Sequence, residues 1–373
     1  MPYPAIDPKK LRVFPLATRR NLLRFADEAA KTVASTAPPE ADVCSQIGHL
    51  ADRMLMARGS NASIMIVYGA HLIKNGAGPL LNQLIDAGLA THLATQGAGI
   101  IHDWEFAYQA TSGESVRENA PAGTFGSWDE TGRWLNLAVL VGAAEGLGMG
   151  ESIGRMIEDD RLVAPSAERL RQEIVADPGA PLTAAKADLL RTIEQFEIPT
   201  GEIAIQHPFK QYSVPAAAYR HHVAMTVHPG IGYDIITNHP LYHGGAIGRA
   251  STTDARIFAD SVDRLDGGVF LSIGSAIMSP QVFEKAFSAA NNLRASEGRP
   301  VLAKHALAIV DLQDGGGWDW SKGEPPSTNP AYYLRFCKSF YRMGGTLDYI
   351  RCDNRVFLVQ LLQRLGIKPN IPA

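Results

Sequence analysis

The stretch SIMIVYG, residues 63–69, is a continuous apolar run that stops at a glycine. A run this short, without polar alternation, has no solvent face and suits a strand buried on both sides. A helix pattern follows in GPLLNQLIDAG, a second strand pattern in ATHLATQ, and a further helix from DWEFAYQATSG. Strand and helix in alternation mark βαβ units, because parallel strands can be joined only by a long crossover. The strand pattern returns at EIAIQHP, VAMTVHPG, GGVFLSIGSA and HALAIVDL, with helices at DARIFADSVDRL and PQVFEKAFSAANNLRAS. The sequence therefore predicts a single α/β domain with a mostly parallel sheet, helices on both faces, and additional helices at the N-terminus and in the middle.

Residues 1–58 read as an extended arm followed by the helices RRNLLRFADEAAKTVAS and ADVCSQIGHLADRMLMARG. A helical insertion is expected over about 127–197, where SAERLRQEIVADPG and TAAKADLLRTIEQF each open on a Ser or Thr suited to capping. In FGSWDETG, Ser127 and Glu130 have capping-box spacing. The core is expected over 60–325, with 326–373 as a C-terminal extension in which AYYLRFCKSFYR alternates as a strand does. At 373 residues and 46% hydrophobic content the chain can bury a large core. A net charge of −3 supplies no basic surface for nucleic acid. Cys44, Cys337 and Cys352 are too scattered for a disulfide framework and fit a reducing compartment. No run reaches the ~18 apolar residues of a membrane span. A cytoplasmic protein is the expectation.

Glycines cluster where the predicted strands end. YGAHLIKNGAGP, TQGAGIIHD, HPGIGYD and SIGSAIMSP each follow a strand, and YHGGAIG precedes a helix. In a doubly wound sheet, ligands bind beyond the carboxyl ends of the strands, where backbone amides and helix N-termini can hold phosphate. None of these turns carries the Lys-Ser/Thr of a P-loop, and Gly97 and Gly99 lack the third glycine of a dinucleotide fingerprint. Asp103 and Glu105 sit where a helix dipole favours acids, but His102 beside them does not. A neutral His102 reaching the ligand edge suits it better.

The order of the pieces resembles the deoxyhypusine synthase family. IVYGAHLIKNGAGPLLNQLIDAGLATHLATQGAGIIHD follows that family's strand, turn, helix, strand and second turn, and HGGAIGR, DGGVFLSIGSA and AANNLR occupy the places of later motifs. The resemblance spans residues 60–325 and implies a Rossmann-like domain and a homotetramer. It implies NAD along Gly69, Gly97, Gly99, Gly245 and Gly268, with Ser275 and Asp311 on the same cofactor surface. It also implies a small-molecule amine substrate oxidised with transfer through an imine on a lysine, for which Lys322 in WDWSKGE has the family's Trp-x-Lys spacing. The chain departs from the family at the polyamine-binding acids. His102 replaces a glutamate, and Gly244 and Arg249 stand where aspartates are expected. His102 and His228 are the candidates for chemistry near the nicotinamide.

Two other readings stand beside this one. Five histidines crowd between His221 and His243, and His228, His239, His243 and Asp234 are the residue types of a metal-assisted hydrolase. A non-catalytic nucleotide-binding protein on the same fold is the other.

Overall fold

The computed structural model describes residues 3–34 and 37–372. Six strands form the central sheet: β1 (Ile64–Tyr68), β2 (His92–Gln96), β3 (Ala224–His228), β4 (Val269–Ile273), β5 (Ala306–Asp311) and β6 (Thr346–Arg351). All neighbours are parallel, and the order across the sheet is β3-β2-β1-β4-β5-β6. The chain walks outward from β1 to β3, returns to the other side of β1, and walks outward again to β6. This is the doubly wound Rossmann-like order, with its direction reversing between β1 and β4.

The sheet is buried because alternate residues of its central strands feed two cores. Ile64, Ile66 and Tyr68 of β1 join Val269 and Leu271 of β4 in the larger core. There they meet α2 (Ala41–Gly59), α4 (Gly78–Asp86) and α15 (Asn354–Arg364). Met65 and Val67 point the other way with Phe270, against Phe258, Phe283 and Phe340. Those phenylalanines come from α12 (Gly244–Asp263), α13 (Met278–Ser296) and α14 (Arg335–Tyr341).

Between β2 and β3 the chain passes through a run of helices wider than the 127–197 expected for an insertion. It contains α5 (Gly97–Gln109), α6 (Val116–Ala122), α7 (Asp129–Glu145), α8 (Met149–Asp159), α9 (Ala167–Ala176), α10 (Thr183–Phe196) and α11 (Val214–Arg220). The Ser166 hydroxyl caps α9 as its sequence suggests, accepting from the Arg169 amide at 3.1 Å.

Several elements differ from expectation. AYYLRFCKSFYR is not a strand: Pro330–Tyr333 is a 3-10 turn and α14 follows, because Phe336, Cys337 and Phe340 share one helical face in the second core. EIAIQHP forms only a short antiparallel ribbon, Gly201–Ala204 against Arg161–Ala164, outside the main sheet. The last segment is no extension, since TLDYIR supplies β6. Ser127 does not cap α7; Glu130 instead accepts from the Leu16 amide at 2.6 Å. The first helix is α1 (Phe25–Ala34), shorter than RRNLLRFADEAAKTVAS, and its end at Ser35 lies outside the described residues. No single helix among the described residues is long and apolar enough to cross a membrane.

The reversal is a close backbone contact. The Gly69 amide donates to Ile273 at 2.9 Å, and a Cβ on Gly69 would strike the Gly274 carbonyl oxygen. Gly69→Ala is expected to destabilise the fold by about 1–3 kcal/mol in denaturant unfolding, as overpacking does. Gly48→Ala is the contrast: it lies within α2 with no atom within 4 Å of an added Cβ, and should stabilise by about 0.5–1 kcal/mol.

Candidate functional site

α5 begins at Gly97, one and a half turns before the acids that the sequence suggested as its start. Residues 98, 101, 102 and 105 therefore fall on one helical face. All of them line a cavity of ≈ 330 Å³ beyond the carboxyl ends of β1, β2 and β3. Lys74, the last residue of α3 (Ala70–Lys74), reaches it from the segment after β1. Tyr233, Asp234 and Ile235 reach it from the loop after β3, and Glu114 and Phe125 flank α6. The N-terminal arm closes the remaining side with Arg19, Leu22 and Leu23.

A buried ion pair anchors this wall. Arg19 and Glu105 are 6% and 1% exposed, and their side chains meet through two hydrogen bonds of 2.7 Å each. Burial alone would raise the Glu105 pKa, but the Arg19 bonds and charge outweigh it and hold the carboxyl below its usual range. Thr131 of α7 donates to the same carboxylate at 2.9 Å, and Ser112 donates at 2.5 Å.

Ser112 in turn sits 2.7 Å from His102 Nδ1. Its only proton goes to the acceptor-only carboxylate, so its oxygen accepts from an Nδ1–H. This fixes the His102 tautomer and leaves Nε2 with a free lone pair, without a partner among the described residues. Burial lowers the His102 pKa to about 4; Glu105 works against this, and Lys74, Arg19 and His71 add to it. His102 is therefore a neutral imidazole near pH 7, with Nε2 left as a hydrogen-bond acceptor.

The N-terminus of α5, where Gly97 and Gly99 suggested a phosphate turn, is filled from within. Asp234 accepts from the Gly230 amide at 2.7 Å and from the Ala98 amide. A Cβ on Gly97 would strike its carboxylate, and one on Gly99 would strike the Thr95 hydroxyl. These glycines serve close packing, with a carboxylate already taking the positive end of the helix dipole.

The other expected residues separate into groups. Gly69, Ser275 and Asp311 stand at the carboxyl ends of β1, β4 and β5, on the proposed edge. Ser275 accepts from the Ser279 amide at 3.3 Å and opens α13. Gly268 lies on the opposite, amino edge, packed on the Ser63 carbonyl, and is not brought to the others. Gly245 is in the first turn of α12, beneath the Asp188–Arg249 pair. His228 ends β3 and belongs to a buried chain in which Thr226 bridges it to His92, at 3.2 and 2.9 Å; it does not line the cavity. Burial lowers its pKa to about 4 as well. Lys322 is 71% exposed beside Asp319 and does not line the cavity either.

The metal-site reading is not met. His239 pairs with Asp129 at 3.3 Å, His243 caps α12 through the Ala246 amide, and Asp234 caps α5. Each has its own protein partner, and no group of three or more potential metal ligands occurs among the described residues.

Sequence reading missed Lys74, Arg19 and Ser112. The spacing of Ala98, Ile101, His102 and Glu105 carried a signal for the cavity face; Arg19 carried none, being 86 residues from its partner Glu105, and Ser112 none, being an ordinary turn serine by sequence.

No family model and no curated protein matches the chain. Among solved structures it is similar to a conserved LOR/SDH protein from Methanococcus maripaludis S2, at 13% identity and a TM-score of 0.43, covering 89% of this chain and 69% of that one. It is also similar to AgrE in a ternary complex with ornithine and NAD+, at 14% identity and a TM-score of 0.42, covering 88% of this chain. A cyanobacterial arginine dihydrolase, ArgZ, is similar at 13% identity and a TM-score of 0.41, covering 86% of this chain. This chain spans only 34% of AgrE and 32% of ArgZ.

Arg19→Met strands a buried carboxylate and is expected to cost about 3–5 kcal/mol in chemical denaturation, whereas Arg19→Met with Glu105→Leu should recover most of that loss. The depressed His102 pKa stabilises the fold above the unfolded value of about 6.5, and this contribution is lost as the pH falls toward 4. His102→Gln should therefore lose less stability than the parent between pH 7 and pH 5.

Proposed function

We propose that this chain is an NAD-dependent enzyme that oxidises a small amine, with His102 as the proton acceptor. The observation that carries the reading is the β3-β2-β1-β4-β5-β6 order, whose reversal between β1 and β4 is where such sheets bind dinucleotides.

The residues at the reversal fit the group. Gly274 has φ +59°, and the turn after it leads into the 19-residue helix α13. The amides of Ser275, Ala276 and Ile277 have no acceptor among the described residues. Successive unspent amides at the head of a long helix suit a phosphate without any side-chain charge. The fit is thus better here than at α5, where Asp234 occupies the corresponding place. The cavity beside His102 is at the low end of the ~300–1,000 Å³ range of small-molecule sites. It suits a substrate rather than a whole dinucleotide.

Oxidation of an amine to an imine removes one C–H hydrogen with its electron pair and one N–H proton. When bound, the nicotinamide ring supplies the acceptor for the electron pair. His102 Nε2 takes the proton, and Ser112 and Glu105 hold the ring so that the lone pair faces the cavity. Arg19 keeps Glu105 ionised, which keeps Ser112 donating in the right direction.

Calorimetry with NAD tests the cofactor. Ile277 is 74% exposed and is the uncapped N-cap of α13, so Ile277→Asp should not lower the Tm while weakening NAD binding about tenfold or more by repulsion. No binding at millimolar NAD would sink the reading. Binding without amine-dependent reduction of NAD across a panel of small amines would leave a non-catalytic nucleotide-binding protein. In an active enzyme, His102→Gln should lower kcat by about 10²–10⁴-fold.

A further inference from the structure

The charges facing the cavity are almost all spent inside the protein. Arg19 is held by Glu105 through two bonds and by Asn21 at 2.8 Å. Glu114 accepts from Asn119 at 2.6 Å and from the Gly126 amide at 3.0 Å. Asp234 is committed to the amides of Gly230 and Ala98. Two groups remain. Lys74 is half-buried and makes no hydrogen bond or ion pair among the described residues, and His102 Nε2 is an unused proton acceptor.

An ammonium that lines a cavity without a counter-ion from the protein has an anion on the ligand as its natural partner. The other walls are apolar, through Leu22, Leu23, Ile101 and Phe125, apart from the uncharged Tyr233. They offer no second cation, so one negative charge is matched and a doubly charged phosphate is not. A ligand bearing only positive charge, such as a diamine, would meet Lys74 with repulsion while the nearby carboxylates are already engaged.

We propose that the substrate of this cavity is a small amino acid, its carboxylate held by Lys74 and its amine presented to His102. This rests on the reading of the cavity as the substrate site of an amine oxidation. It replaces the polyamine that the family resemblance implies with a molecule carrying a carboxylate.

Matched pairs that differ only in the carboxylate test the proposal: L-ornithine against putrescine, L-lysine against cadaverine, and L-alanine against ethylamine. Calorimetry is run on the full chain with and without millimolar NAD. At least one amino acid should bind about tenfold tighter than its partner amine, the scale of one charge-assisted contact. Lys74→Met should abolish that preference and Lys74→Arg should keep it, with circular dichroism confirming that both variants fold. A diamine that binds as well as its amino acid overturns the proposal. So does a carboxylate preference that survives Lys74→Met, or no binding by any amino acid in the panel. Carboxylate binding that depends on Lys74 in a protein that does not bind NAD would sink the oxidoreductase reading and leave this one standing.

Discussion

Glu105 stays ionised at 1% exposure chiefly because Arg19 is there. A lone carboxylate so deeply buried would be driven to its neutral form, and the bonds it accepts would lose their direction. The pair therefore does more than join two charges. It fastens the N-terminal arm to α5, takes the Thr131 hydroxyl of α7 on one oxygen, and takes Ser112 on the other. The ribbon Leu23–Arg24 against Thr111–Ser112 brings the arm and residue 112 to the same place. The orientation of His102 is the last link of this chain, and it inherits its definition from a contact that spans 86 residues of sequence, between Arg19 and Glu105.

A second device recurs across the molecule. Asp234 caps α5, Asp254 accepts from the Gly150 amide at the head of α8, and Asp103 accepts from the Val214 amide at the head of α11. In each case a buried aspartate from one element takes the positive end of another helix. Burial raises Asp103 and Asp254 to about 7 despite these hydrogen bonds. Glycines at 97 and 148 leave room for two of these carboxylates, which for Gly97 is a packing reason for glycine at a place that resembles a phosphate turn.

That resemblance shows where the sequence was legible. Buried parallel strands have no polar alternation, and β1 and β4 in particular could be read from apolar runs with glycine stops. β6 was missed because TLDYIR is half-exposed at the edge of the sheet and carries polar residues within it. The aromatic segment before it was misread because Phe336 and Phe340 satisfy a helical face while their neighbours mimic alternation. His102 was recognisable as an imidazole out of place among acids. Its partners were not, since Ser112 looks like any turn serine and Arg19 like any basic residue of an arm. Lys322 had the family's local spacing and Lys74 had none, yet only the fold decides which lysine meets the cavity.

On the proposed reading, the turn at Gly274–Ile277 and the wall at Lys74 and His102 would offer ligands two kinds of surface. One is made of amide groups, which every residue but proline supplies, so its chemistry passes unchanged through most substitutions. The other is made of side chains, each one codon away from losing its function. Descendants of such a chain would keep the first surface long after the second had turned over, and new chemistry would arise on an inherited anchorage.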